Sequence, residues 1–172
     1  MDKFSNEPID ITALPRYQEV QLDPMHPDYW KVIVWNICIS LIVIVVAVAL
    51  IFYINEELRA YLLYASIAII VFGILLFVIF RLSFKRRGLA IREKDIIYSS
   101  GILSSKTTIV PFNRIQHVAL NEGIFSRMYK LGALEVFTAG GATGNIKIYG
   151  LAIGQAKSIK ELLAKSLNNA IQ

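Results

Sequence analysis

Two long apolar runs dominate the pattern of this chain, and short alternating segments follow them. Val32 to Ile54 is the first run and Ala60 to Phe80 the second, and neither contains a charged residue. Each is close to the ~20 consecutive apolar residues a helix needs to cross a bilayer. Only Asn55, Glu56, Glu57, Leu58 and Arg59 separate them, which is room for a tight turn. The pattern predicts a transmembrane helical hairpin over residues 30–82 that holds the remaining chain at a membrane surface.

After Phe80 the pattern shortens and alternates. Strands are predicted at Leu82–Ile91, Asp95–Leu103, Lys106–Phe112, Arg114–Leu120, Leu134–Ala139 and Ile146–Tyr149. Pro111 marks a bulge or an edge between the third and fourth. Leu134, Val136 and Thr138 share one strand face, with Glu135 and Phe137 on the other and Lys147 and Tyr149 outward in the next strand. Residues 140–145 are glycine-rich and read as the hairpin loop between those two strands. Two helices punctuate the sheet. Ile124–Lys130 is short, with Gly132 as its candidate left-handed cap. Gln155–Leu167 is amphipathic, because Ala156, Ile159, Leu163 and Leu167 recur at helical spacing. The predicted fold class is a membrane α-helical hairpin plus an α+β, mostly-β domain over residues 83–172, its last helix packed against an open end of the sheet. Residues 1–29 read as an N-terminal tail, interrupted by Pro8, Pro15, Pro24 and Pro27. Ile9, Ile11, Leu14, Tyr17 and Val20 are too many apolar residues for a wholly solvated leader, so part of the tail has the means to dock.

Composition agrees with two spans. The 172 residues are 55% hydrophobic with a mean hydropathy of +0.53, more than one small soluble core requires. A cleaved signal peptide is not expected: the first apolar run starts behind an acidic, proline-bearing segment and exceeds a typical signal core in length. The net charge of +5 is unevenly spread. Residues 81–172 carry fourteen Lys and Arg against five Asp and Glu, whereas residues 1–31 carry three basic and six acidic side chains. Arg81, Lys85, Arg86 and Arg87 cluster just beyond the second run, and the inter-run loop has only Arg59. The positive-inside bias predicts the loop outside, both termini in the cytoplasm and a multi-pass protein of the cell membrane. Tyr29, Trp30 and Tyr53 suit the interfacial aromatic belts.

Candidate chemistry is sparse. Cys38, inside the first run, is the single cysteine, which excludes an intrachain disulfide and makes thiolate metal sites untenable. His117 is the one histidine after the hairpin and has no cysteine near it, so it reads as a structural residue. Glu93, Asp95, Glu122 and Glu135 fall at turns or on outward strand faces, the ordinary place for solvated charge. Gly140-Gly141-Ala142-Thr143-Gly144 precedes a strand, whereas a phosphate loop precedes a helix. Transport is disfavoured because no charge interrupts either run. Asn36 can hydrogen-bond within the hairpin or between copies, which leaves a homo-oligomer open. The cluster Arg81, Lys85, Arg86 and Arg87 suffices as a topology signal and also suits anionic headgroups, each charge near the surface contributing about 1 kcal/mol. Nucleic acid is excluded by the absence of an aromatic stacking platform among the basic residues. No cofactor and no metal are expected.

The order of three segments carries a resemblance. Leu89 to Gly101 reads strand, turn, strand, glycine. Ile109 to Val118 contains Pro111, Arg114, Ile115 and Gln116 as a Pro-x-x-Arg-Ile-Gln element. Gly132 to Gly141 contains Gly132 and then Thr138, Ala139 and Gly140 as a Thr-Ala-Gly element. Behind a hairpin, this order resembles the membrane-flanked bacterial pleckstrin-homology-like (PH-like) family, the YdbS-like proteins, over roughly residues 24–167. The resemblance implies a PH-like β-sandwich or partial barrel closed by a C-terminal helix. It implies no enzymatic activity, partners that are related multi-domain PH-like membrane proteins, and a role in envelope stress or tolerance to antimicrobial peptides. A full PH domain has seven strands and about six are counted here, so a split strand or a partner's strand is expected to complete one edge. In lipid-binding PH domains basic residues crowd the first strand pair. Here Arg92-Glu93-Lys94-Asp95 occupies that turn with balanced charge, which argues against an inositol-phosphate site. The expected function is a non-catalytic, membrane-anchored module presenting a protein-binding surface at the cytoplasmic leaflet; the alternative is an anionic-lipid headgroup-binding module.

Overall fold

A computed structural model describes residues 20–102, 105–139 and 144–171, with side chains to residue 166 in the last helix. Helix α1 spans Tyr29–Ile54 and helix α2 Leu62–Lys85, joined through a 3-10 segment at Glu56–Tyr61. Asn55 ends α1 by turning extended, while its backbone N–H and its side-chain amide both donate to the Ile51 carbonyl. The two helices pack side by side as a hairpin.

Helix α2 runs further than the pattern suggests. Residues 82–85, expected as the start of a strand, continue the helix, and the strand begins only at Gly88. Arg86 and Arg87 donate their N–H groups to the Ser83 and Phe84 carbonyls, satisfying the helix end before the chain turns. Gly88 is where a neighbouring segment comes close: a Cβ there would lie 2.7 Å from Leu22 Cβ.

Seven strands form two antiparallel sheets among the described residues. In the first sheet, β1 (Asp23–Pro24), β2 (Gly88–Ile91), β3 (Asp95–Ser100) and β4 (Lys106–Pro111) lie in that order. In the second sheet, β5 (Ile115–Asn121), β6 (Leu131–Thr138) and β7 (Ile146–Ala152) follow suit. The strand missing from the sequence count is β1, contributed by the chain itself from ahead of the hairpin. Asp23 pairs with Leu89 and Pro24 with Gly88. The His26 N–H then donates to the Gly150 carbonyl of β7 at 2.9 Å, so this short segment ties one sheet to the other. Pro24 fits because it lies in an edge strand, where a missing donor is tolerated.

Helix α3 is Ile124–Met128 and helix α4 Ile153–Ile171. Gly132 does not cap α3. The left-handed residue there is Lys130, at φ 54°, and Gly132 lies inside β6 opposite Leu151. Its lack of a side chain serves packing, since a Cβ would stand 3.0 Å from Leu120 and 3.3 Å from Ile153. The core joins both sheets and α4. Ile96, Leu134, Val136, Ile148 and Leu163 are fully buried, and Met25 enters the same cluster from beside β1. Alternation in β6 follows the sequence reading, with Leu134, Val136 and Thr138 inward. In α4, Ala156, Ile159 and Leu163 are buried against this cluster, as their spacing predicts; the Leu167 side chain lies outside the described ones.

Candidate functional site

Strand directions sort the domain into two ends. Two residues separate α2 from β2, so Gly88, the end of β3, the start of β4, α3 and the start of α4 lie at the hairpin end. The 92–95 turn, the 112–114 turn, the end of β6 and the start of β7 lie at the far end, about 13 Å along a four-residue strand.

At the hairpin end the predicted basic cluster splits. Arg81 lies over the Trp30 ring at 4.8 Å and near Phe84 at 5.9 Å. Arg87 donates to the Tyr29 hydroxyl at 3.2 Å and to the Ser83 hydroxyl at 3.4 Å, and its guanidinium sits over Tyr29 and Tyr149. Arg86 donates to the Ile102 carbonyl. Lys85 is exposed and has no partner among the described residues. Arg81 thus braces the two helices against each other, while Arg87, through Tyr149, and Arg86, through Ile102, tie the hairpin to the domain. Sequence reasoning missed most of their partners. Tyr29 stacks on Tyr149 at 6.3 Å, and it does so across Gly150, whose φ of +75° and absent Cβ admit the ring. An adjacent aromatic pair at 29–30 was visible, but nothing in the pattern pointed to Gly150. Burial raises the Tyr98 phenol above its ordinary pKa beside this junction, and the charge of Arg87 opposes that shift.

The family-motif residues gather mostly at the far end. Pro111 ends β4 and enters a 3-10 turn at Phe112–Arg114. The Ala139 N–H donates to the Arg114 carbonyl at 3.0 Å, and Ile115 pairs with Thr138. Two motifs more than twenty residues apart therefore meet at one corner. Ile115 and Thr138 are buried, while Gln116 sits at a register shift between Ile115 and His117 and is exposed. Pro111 itself ends β4, an edge strand among the described residues, which is one of the two outcomes expected for it; the bulge falls five residues later. The Thr138 N–H donates to the Asn145 side chain at 3.1 Å, tying the end of β6 to the residue before β7. Gly140 lies outside the described residues, and Gly132 lies at the opposite end.

Pro111, Arg114 and Thr138 line a shallow groove of about 320 Å³ together with Thr108, Ile109 and Gly144. It runs beside the outer edge of β4, which pairs with no strand among the described residues. β5, the facing edge, is in contact with α4. Ile109, 39% exposed, and Thr107 point outward along the open edge.

Other candidates are occupied. Arg92 binds Asp95 through two hydrogen bonds, one of 2.7 Å from Nε. Glu135 holds Lys147 at 3.0 Å and accepts from Asn121 at 3.0 Å, and its carboxylate raises the Lys147 pKa. Glu122 reaches Arg127 at 4.0 Å. His117 stacks on Phe137 at 4.0 Å. Among the described residues no group of three His, Cys, Asp or Glu could hold a metal ion. No curated protein and no solved structure matches the chain. A family model does match: that of the bacterial PH domain covers residues 31–167, and the chain belongs to that family.

Proposed function

We propose that this chain is a non-catalytic, membrane-anchored adaptor that receives an extended segment of a membrane protein along the open edge of β4. The family is typically non-catalytic, and three carboxylates of the domain, Asp95, Glu122 and Glu135, are held in surface ion pairs. The anchor reading is supported by two helices long and apolar enough to span a bilayer, only 6% buried in their most apolar windows. A core helix of a soluble protein would be mostly covered. Both termini lie in the cytoplasm on this reading, because Arg81, Lys85, Arg86 and Arg87 outweigh Arg59.

The observation that carries the proposal is the groove beside β4. An unpaired strand edge offers a row of backbone donors and acceptors, and an added strand satisfies them while side-chain pockets give selectivity. Ile109 supplies an apolar contact and Arg114 a cation for an acidic residue of the partner. The resemblance to membrane-flanked PH-like proteins suggests a related multi-domain protein as that partner. The rival, an anionic-lipid headgroup site, is weakened because Asp95 holds Arg92 and the junction holds Arg81 and Arg87.

A photo-crosslinking residue at Ile109 in native membranes tests this. One protein adduct of fixed mass is expected, and Arg114→Glu should abolish it while leaving the protein folded. An adduct confined to lipid, or a protein adduct indifferent to Arg114→Glu, would sink the proposal.

A further inference from the structure

Helix α3 exposes two large apolar side chains within its five residues. Ile124 is 82% exposed, the highest value among the large apolar side chains described, and Met128 is 66% exposed. They stand four residues apart, so they share one face. The adjoining face of α3, about 100° round the helix, is docked on the hairpin. Phe125 stacks flat on Trp35 at 5.9 Å, with an interplanar angle of 2°. Tyr129 accepts a hydrogen bond from the Trp35 indole at 3.1 Å and lies under the Lys31 ammonium at 5.6 Å.

These contacts fix the level of α3 along α1. Lys31 is the last charge before the apolar run, and Trp35 lies four residues further on. Four residues of helix are about 6 Å. Phe125 packs on the Trp35 ring, whereas Tyr129 reaches from the Trp35 indole toward the Lys31 ammonium one turn nearer the surface, so the Ile124 end is the deeper one. A depth of about 5–10 Å is where amphipathic elements rest at the boundary of headgroups and acyl chains. Flanking charge agrees. The Arg127 side chain is 80% exposed and only loosely paired, at 4.0 Å from Glu122, and Lys130 is exposed beside it. Such long basic side chains reach back to phosphates while apolar neighbours insert.

We infer that α3 dips into the leaflet from which the domain hangs. Ile124 and Met128 occupy its headgroup–acyl boundary, and Arg127 lies at the phosphate level. With α1 and α2 this gives the domain a third attachment, away from the hairpin axis, and so fixes its tilt against the bilayer. The inference rests on the hairpin spanning a membrane. It adds a lipid contact that needs no headgroup specificity and stands at the opposite end of the domain from the β4 groove.

The test uses the full chain in lipid vesicles with Cys38→Ser as background. An environment-sensitive fluorophore is attached through Ile124→Cys, Met128→Cys, Val46→Cys in the span, or Lys157→Cys on the exposed face of α4. Nitroxide lipids labelled at the headgroup or near the chain end act as quenchers. Ile124 and Met128 sites should show blue-shifted emission and stronger quenching from the shallow nitroxide. The Val46 site should favour the deep nitroxide, and the Lys157 site should respond to neither. If Ile124 and Met128 sites match Lys157 while Val46 is quenched, the inference falls and the anchor stands. Blue-shifted emission that no lipid quencher reaches would mean that a protein, such as a second copy, covers the pair, and would also overturn it. Loss of quenching at Val46 would remove the anchor and the inference together.

Discussion

At the scale of single residues, Gly150 is the most constrained position, because two independent demands fall on it. Its φ of +75° favours glycine, and the Tyr29 ring fills the space a Cβ would need, at 2.6 Å from Cγ. Gly150→Ala should destabilise the protein by about 1–3 kcal/mol from the backbone alone, with the steric clash in addition. A cycle separates the two. In a Tyr29→Ala background the same substitution should retain only the backbone cost, so the detergent-solubilised double variant should melt above the sum of the single losses. Strict additivity would show that Tyr29 does not press on Gly150. Gly154→Ala serves as the contrast, since nothing lies within 4 Å of its would-be Cβ in the first turn of α4. It should be neutral or stabilising by up to about 1 kcal/mol. Gly150 sits between Tyr149 and Leu151 and Gly154 between Ile153 and Gln155, and neither setting marks one as constrained and the other as open. What differs is a ring brought in from more than a hundred positions away.

At the scale of elements, the legible parts were those whose own periodicity faces one environment. The two apolar runs and the inward residues of β6 and α4 were readable because burial on one side leaves a stripe. α4 gives a direct check. Leu163 is 1% exposed in the core cluster, so Leu163→Ala should cost about 2–5 kcal/mol. If Leu163→Asp leaves the thermal transition unchanged, α4 does not seal this core. β1 was not legible, because two residues, one of them a proline, carry no period at all. Its role shows only in pairing, from Asp23 to Leu89 and from His26 to Gly150. Residues 82–85 continue α2 for a related reason: Leu82 and Phe84 alternating with Ser83 and Lys85 after a long apolar helix suit a strand or one more helical turn equally well. The far-end motif was legible as residue types, yet not as a site. Pro111, Arg114 and Thr138 meet only because β5 pairs with β6 in one register and a bulge at Gln116 shifts it. A consequence follows for β1. Met25, 5% exposed, anchors that strand in the core, and Met25→Asp should free the segment ahead of the hairpin. Amide exchange at β2 should then rise selectively while β5–β7 stay protected; uniform protection would mean that β1 adds nothing to the first sheet.

At the scale of the whole molecule, hairpin and domain form one joined unit rather than an anchor with a tethered load. Arg81 and Arg87 bind the junction aromatics, Trp35 carries α3, and the chain crosses from β1 into α1 with only four residues between them. Charges that sequence assigns jointly to topology and to lipid binding are therefore not equivalent. If the hairpin spans a bilayer as proposed, Lys85 and the outward part of Arg86 are the charges left to meet headgroups, and anionic lipid should give a general and modest effect, about 1 kcal/mol for each free charge. Thermal stability of the full chain in nanodiscs measures this. Stability should rise when anionic lipid replaces zwitterionic lipid at low salt, and most of the gain should vanish toward ~0.15 M salt, where screening acts over about 8 Å. Among headgroups of equal charge no preference is expected, because the Arg92 and Asp95 pair closes the turn where a headgroup pocket would form. Orientation is read in the same protein. With Cys38→Ser as background, a membrane-impermeant thiol reagent applied to intact cells should label Glu57→Cys and spare Ser105→Cys. Labelling of the Ser105 site would invert the topology and put the β4 groove outside the cell. Saturable stabilisation by a single headgroup would instead reassign the domain from a protein receptor to a lipid sensor, with the inward-turned arginines as its fixed support.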